Sequence, residues 1–288
     1  MDCCRNRFVK QLELKGLSFI DCWATPSYLS ITKLFRIFVS MITKAEIQLV
    51  RSLADKRNRD ELGLFVAEGE KLIEELRGSQ LRVRRIYALE GIFEGDDVQI
   101  VTPKEMERLS MLKTANNSLA VVEQPRYKFD LDRLKQNLVL ALDDVQNPGN
   151  LGTIIRLADW FGISDIVCSP ATADCFNPKV VQATMGAILR VRVHYLDLPS
   201  LLRSAKESGV AVYGTFLDGG NIYDSQLESR GVIVMGNEGR GISAECAAAI
   251  TDRLFIPPYP ADRNGSESLN VAIATAVTCA EFRRQAKK

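Results

Sequence analysis

Two stretches decide how this chain reads: GVIVMGNEGRGIS, Gly231 to Ser243, and RLFIPPYPADRNGSESLNVAIATAV, Arg253 to Val277. An apolar run, Val232 to Met235, stops at the glycine-rich turn Gly236-Asn237-Glu238-Gly239-Arg240-Gly241. A second short apolar run, Leu254 to Ile256, enters a loop rich in Pro and Gly. That loop ends at Ser268-Leu269-Asn270, where a helical pattern begins. Polar turns carried by buried strands mark a site, because ligands of open α/β sheets bind at the carboxyl ends of strands.

Upstream, a third polar segment runs from Asp143 to Arg156, DDVQNPGNLGTIIR, after the apolar run Leu138 to Leu142. The elements from there alternate. Strands are expected at 138–142, 166–168, 191–195, 210–216, 232–235 and 254–256. Helices are expected at 149–161, 178–187, 198–208, 243–249 and 268–284. Near-continuous apolar strands separated by helices predict a mostly parallel sheet covered on both faces. Neither a dinucleotide fingerprint nor a P-loop is present, since Gly236 to Gly241 is not GxGxxG and no GK[ST] follows.

Composition narrows the classes. The 288 residues are long enough for two domains, and the net charge of +1 advertises no overall basic field. An RNA partner must therefore rest on local clusters. The seven cysteines lack CxxC spacing and read as reduced thiols of a cytoplasmic protein. The one histidine, His194, lies in the strand-like VRVHYL and reads as structural, which argues against a zinc site or a His-based triad. No metal and no membrane span are expected. The apolar piece Gly16 to Ala24 is interrupted by Asp21 and too short to cross a bilayer.

The amino-terminal half has its own organisation. Residues 1–40 fit nothing that follows and read as a weakly ordered extension, with Met41 as the natural start. Residues 41–124 read as a small α/β domain. Thr43 to Glu46 has capping-box spacing and opens a helix to about Arg57, and Thr102-Pro103-Lys104-Glu105 repeats the pattern. Helix 69–76 and strands at 64–66, 82–89, 99–101 and 119–122 complete it. Residues 125–135 read as a polar linker to a second domain, 136–288.

The ordered segments NPGNLGTIIRLADWFG, VIVMGNEGRGIS and IPPYPADRNGSESLNVAIATAV resemble the three motifs of the SpoU (TrmH) family of RNA ribose 2′-O-methyltransferases, of the SPOUT class. The likeness covers roughly residues 138–284. Residues 41–123, with FVAEGEKLIEEL, resemble the substrate-binding domain of many members. The resemblance implies an α/β fold whose mostly parallel sheet ends in a C-terminal trefoil knot. It also implies S-adenosylmethionine as cofactor and a homodimer with active sites near the subunit interface. Ribosomal RNA is the favoured substrate. A tRNA methyltransferase and a non-catalytic ribosome-assembly factor of the same fold are the alternatives.

The resemblance maps catalytic positions onto Asn147, Arg156, Glu238, Ser268 and Asn270, and cofactor contacts onto Gly236, Ile256 and Leu269. Thr215 is added for the backbone groups around it. Gly236 and Gly239 are expected to let a ligand approach the main chain, and Ile256 and Leu269 to wall an adenine ring. Guanidinium stays protonated, so Arg156 is favoured as a phosphate clamp that stabilises the developing alkoxide, with phosphate-relayed proton transfer as the alternative. Glu238 is expected to orient Arg156 or Asn147. Asn270 either holds the ribose or caps the last helix. RNA binding is assigned to Lys56, Arg57, Arg59, Arg82 and Arg84. Arg82 and Arg84 are expected on one strand face and Arg85 on the other. A further basic group, Arg283, Arg284, Lys287 and Lys288, closes the chain.

Overall fold

The computed structural model describes residues 42–260 and 268–286. The extension assigned to 1–40, the loop 261–267, and Lys287 with Lys288 lie outside the described residues. From Ala45 onward the chain forms one compact unit, which holds two sheets.

The first sheet is built from α1 (Lys44–Ser52), α2 (Lys56–Leu62), β1 (Leu64–Glu68), α3 (Glu70–Arg77), β2 (Val83–Ala88), β3 (Val98–Ile100), α4 (Pro103–Leu109) and β4 (Ser118–Glu123). Its strand order is β1-β4-β2-β3, with β4 antiparallel to both neighbours and β2 parallel to β3. The single helix expected from Thr43 to Arg57 is two. Asp55 breaks it, because its side chain accepts the Arg57 N–H at 2.7 Å and so caps α2. The left-handed Gly63 (φ 63°) then ends α2 and turns the chain into β1. The expected Thr102 box is present: Thr102 Oγ1 accepts the Glu105 N–H, and Glu105 accepts the Thr102 N–H at 2.8 Å.

A 3₁₀ turn, Leu131–Lys135, with buried Leu134 forms the second half of the segment 125–135 expected as a polar linker. The second sheet then forms from β5 (Leu138–Leu142), α5 (Pro148–Trp160), β6 (Asp165–Cys168), α6 (Pro178–Ala183), β7 (Arg192–Tyr195), α7 (Leu198–Glu207), β8 (Val212–Asn221), β9 (Gly231–Met235), α8 (Ala244–Ala247), β10 (Asp252–Phe255) and α9 (Val271–Ala286). All its pairings are parallel, in the order β10-β8-β9-β5-β6-β7. Alternation along β5 feeds two cores. Leu138, Leu140 and Leu142 join a cluster with Ile154 of α5 and Phe282 of α9. Val139 and Ala141 join one with Leu198 and Leu202 of α7. Both faces are thus covered, as the unbroken apolar runs require.

Strand β8 departs from the expected 210–216. It continues to Asn221, but its pairing with β10 jumps from Gly214↔Arg253 to Gly220↔Leu254. Thr215 to Gly219 therefore bulge out of the ladder. A Cβ on Gly219 would lie 2.6 Å from the Leu254 carbonyl carbon, so the return into the ladder requires glycine there. Arg253 pins the bulge by lying 3.5 Å over the Phe216 ring and pairing with Asp218 at 2.5 Å.

His194 is structural. It is buried, with Nε2 3.0 Å from Asp165 Oδ1 and its ring 5.0 Å edge-on to Phe129. Asp165, at the start of β6, also receives Arg133, Arg192 and Ser164. Burial pushes its carboxyl up, but the hydrogen bonds from Arg192, His194 and Ser164 outweigh that and hold it well below the usual carboxylate range. Among the described residues no helix is long and apolar enough to cross a membrane, and no His/Cys/Asp/Glu group could hold a metal ion.

The Asp165 cluster gives an acid-side signature. Its folded carboxyl titrates below the unfolded one, so on acidification the unfolded chain binds the proton first. Its stabilisation is full above the unfolded value near about 3.9 and shrinks as pH falls toward the folded value. Asp165→Asn is expected to cost roughly 2–3 kcal/mol at pH 7 in urea melts, because it strips the counter-charge from Arg133 and Arg192. The gap from wild type should narrow steadily below about pH 4. A gap independent of pH would show that the carboxylate charge contributes nothing.

Candidate functional site

Because the strands of the second sheet are parallel, the segments after β5, β9 and β10 all emerge at one edge. Helix α5 starts there. Asn147 is its N-cap, accepting the Gly149 N–H at 2.8 Å and the Asn150 N–H at 3.1 Å, with Pro148 at the first helical position. The turn after β9 is closed by paired main-chain hydrogen bonds between Asn237 and Gly241, each 2.9 Å. The Asn237 side chain accepts the Gly239 and Arg240 N–H groups and donates to the Asp144 carbonyl at 2.7 Å. Arg240 pairs with the Asp144 carboxylate, and Asp143 Oδ2 accepts the Ser243 N–H at 2.7 Å. The two loops are one clamped unit.

Glu238 hangs from this unit. Its Oε1 accepts Asn150 Nδ2 at 2.8 Å and the Asn147 N–H at 3.4 Å. Burial raises its pKa, but the hydrogen bonds from Asn150 and from nearby main-chain N–H groups lower it further, so Glu238 stays ionised at neutral pH. Asn150 Oδ1 accepts Asn270 Nδ2 at 3.0 Å, and Asn270 Oδ1 accepts the Ala272 N–H at 2.9 Å. Asn270 thus caps α9 and at the same time ties that helix to Asn150. Asn150 joins three segments distant in sequence. It lies inside the quoted motif yet carried no assigned role. Its signal was the second asparagine of Asn147-Pro148-Gly149-Asn150, one turn inside the helix.

The remaining catalytic positions are placed differently. Arg156 is exposed on α5, six residues from Asn150 and so about 9 Å along the axis. It makes no hydrogen bond or ion pair among the described residues. Glu238 therefore holds Asn150 and the Asn147 main chain, not Arg156. Ser268 is exposed beside Leu269 and Asn270.

Of the cofactor positions, Gly236 directly follows β9, Ile256 directly follows β10, and Thr215 lies in the bulge of β8, three neighbouring strands. Thr215 and Ile256 are half-buried, while Leu269 and Leu217 present apolar surface to solvent. The two glycines differ in what surrounds them. A Cβ on Gly236 would lie 2.2 Å from the Gly241 carbonyl carbon, so the turn itself demands that glycine. A Cβ on Gly239 would meet only Asn237 Oδ1, at 3.7 Å, so this structure gives no steric reason for it. The edge suits a nucleoside-bearing cofactor. It combines main-chain polar groups of a bulged strand and a turn with aliphatic walls.

Comparison with known proteins gives the chain's family and the likeness of its fold. The profile of the SpoU rRNA Methylase family matches residues 137–280, and that of the MRM3-like substrate binding domain matches 44–126. The chain belongs to the SpoU rRNA methylase family. The 23S rRNA (guanosine(2553)-2′-O)-methyltransferase RlmP of Bacillus subtilis is 32% identical over 234 residues, 79% of this chain and 91% of that protein. A putative RNA methyltransferase of the TrmH family from Porphyromonas gingivalis superposes with a TM-score of 0.77 at 39% identity, over 85% of this chain and 99% of that one. An AdoMet-bound rRNA methyltransferase from Sinorhizobium meliloti gives 0.74 at 30% identity, over 85% and 96%.

Within this SpoU chain, the arginines assigned to RNA separate into two kinds. Arg59 is a correction. It is 1% exposed, pairs with Asp174 at 2.5 Å, and donates to the Leu53 and Ala54 carbonyls, so no RNA can reach it. Its position three residues into a short charged helix hid this. Lys56 and Arg57 are exposed, Lys56 with Asp60 at 2.7 Å. Arg82 and Arg84 are exposed and share Glu123, at 3.7 and 2.9 Å. Arg85 does not oppose them as a simple alternation predicts. The pairing of β2 with β4 slips between Val83 and Arg85, leaving Arg84 and Arg85 both exposed.

The glycine turn yields a paired test. Gly236→Ala is expected to lower S-adenosylmethionine affinity at least about tenfold by calorimetry, since main chain must move to admit the methyl. Gly239→Ala should leave affinity within about twofold. Equal losses at both positions would show that the ligand, not the turn, sets the demand.

Proposed function

We propose that this chain transfers a methyl group from S-adenosylmethionine to a ribose 2′-hydroxyl of ribosomal RNA. The observation that carries the reading is the Glu238–Asn150–Asn270 ladder, whose Asn150 lies on the same helix as an exposed Arg156 that has no partner among the described residues, in a chain of the SpoU family. The B. subtilis relative acts on 23S rRNA, which favours that substrate class over tRNA.

S-adenosylmethionine supplies a sulfonium-activated methyl group when bound. Gly236, Thr215, Ile256 and Leu269 hold it, through main-chain groups of the turn and bulge and through aliphatic contacts. The ladder fixes the neighbouring loops before RNA arrives, so orientation carries no ordering cost at the moment of reaction. Arg156 clamps the phosphate next to the reacting ribose and stabilises oxygen charge as the hydroxyl loses its proton. Asn150 takes the positioning role, because the side-chain oxygen of Asn147 is occupied in capping α5. Ser268 and Asn270 fix their own loop and the ribose.

Residues 44–126 act as the substrate-binding domain and residues from 136 as the catalytic domain, with the trefoil knot in its C-terminal part. Lys56, Arg57, Arg82 and Arg84 bind RNA. The enzyme works as a cytoplasmic homodimer. Exposed Trp160 on α5 and Ile273 on α9 support a second copy seated near Arg156.

Methyl transfer from labelled S-adenosylmethionine into rRNA tests the reading, with alkali-resistant dinucleotides as the signature of ribose methylation. Arg156→Ala is expected to lower kcat by about 10²–10³-fold while cofactor affinity holds. Wild-type enzyme that labels no rRNA, or labels it in an alkali-sensitive form, would sink the proposal. Asn147→Ala should cost about 1 kcal/mol of stability as a lost cap and spare turnover relative to Asn150→Ala. The reverse order in turnover would return the positioning role to Asn147.

A further inference from the structure

We propose that a buried contact centred on Arg59 and Asp174 locks the substrate-binding domain onto the catalytic domain, so that the RNA's register on the methyl-donor site is preset in the free enzyme. This rests on the methyltransferase reading above and adds to it how the target nucleotide is chosen.

The contact has three parts. Arg59 is 1% exposed and places two nitrogens on one Asp174 oxygen, at 2.9 and 2.5 Å. Its Nη1 donates to the Leu53 and Ala54 carbonyls at the corner between α1 and α2. Removing either charge would leave the other buried without a partner. Beside the pair, Phe65 of β1 and Phe176 pack with ring centroids 4.8 Å apart. Further along, Arg190 bridges Glu75 of α3 and Asp159 of α5, at 2.8 and 2.9 Å. One apolar cluster runs unbroken from Phe65 and Ile73 to Leu140 and Ile154. A tethered module with a mobile interface has no need of a buried ion pair across it.

The lock also leads to the site. Asp174 Oδ1 accepts the Phe176 N–H at 3.0 Å, and the preceding residue, Ala173, donates its N–H to the Val145 carbonyl at 3.0 Å. Val145 belongs to the loop that carries Asn147. The Asp144 N–H in the same loop is held by Ser169 Oγ at 2.9 Å. The segment that grips the substrate-binding domain therefore also shapes the catalytic loop. The cations Arg57, Arg82 and Arg84 consequently sit at fixed separations from Arg156. An RNA that engages both domains presents to the methyl donor whichever ribose lies at that separation.

The experiment compares full-length wild type with Asp174→Ala. Hydrogen exchange reports the interface at β1 and α6, calorimetry reports S-adenosylmethionine affinity, and mapping of 2′-O-methyl positions on rRNA reports register. The variant is expected to exchange faster at β1 and α6 and to keep cofactor affinity within about twofold. It should lose about 100-fold in kcat/KM at the wild-type nucleotide and spread methylation to neighbours. Arg190→Glu, at an exposed part of the same contact, should move each readout the same way to a smaller extent, and it decides the matter if Asp174→Ala does not fold. Unchanged exchange would overturn the lock. Faster exchange with unchanged rate and a single methylated position would overturn its role in register. Wild type that methylates no RNA would instead sink the methyltransferase reading and leave the exchange comparison to decide the lock.

Discussion

The side-chain amide of Asn150 is the constraint on which the site depends. It donates to Glu238 at 2.8 Å and accepts from Asn270 at 3.0 Å, joining the turn after β9 and the start of α9 to the first turn of α5. An amide suits this place because it offers a donor and an acceptor at once. A carboxylate would repel Glu238, and an aliphatic side chain would remove the side-chain donor that Glu238 accepts. The parallel register supplies the precondition. Leu142 pairs with Met235, so the loops after β5 and β9 start level with each other. A slip of one residue would turn the apolar set of β5 to the wrong face and separate the loops.

The covered parallel sheet itself was legible in the sequence, though its register was not. Runs such as LVLAL and GVIVM leave few alternatives to a doubly covered parallel sheet, and the Thr102 box fixed the start of α4. What local pattern could not show were events set by packing. The break at Asp55 looks like one more polar residue on an amphipathic helix until its side chain is seen to cap α2. The bulge of β8 depends on how closely Gly219 approaches Leu254, a partner 35 residues away. The slip at Arg84 depends on β4. Each is decided by a neighbour that periodicity does not name.

The site was legible as a set of segments and less so as roles. Glu238, Asn270 and the turn glycines were found because they sit in unusual strings at strand ends. Their pairings were not, since Asn150 differs from Asn147 in a string only by its offset from Pro148. The structure separates them through geometry: Asn147 spends its oxygen on α5 main chain, and Asn150 spends both ends of its amide on other segments. Likewise Gly236 and Gly239 look equivalent as letters, yet only Gly236 is hemmed in by the turn's own backbone.

The arginines show how environment sorts one residue type into different work. A guanidinium buried without a counter-charge is too costly to persist, so Arg59, at 1% exposure, needs the Asp174 carboxylate it is given. Once partnered it has nothing left to offer a ligand, and its free energy goes into holding two domains together. Arg156 is the opposite case. In water its charge needs no protein partner, and it has none among the described residues. Its desolvation is deferred until something anionic arrives, and its attraction then strengthens as water leaves the site. Arg82 and Arg84 fall between, since sharing Glu123 weakens what they can give a phosphate. Exposure and partnership read together, more than charge counted along the chain, distinguish the cations that build this protein from those that can act on an RNA.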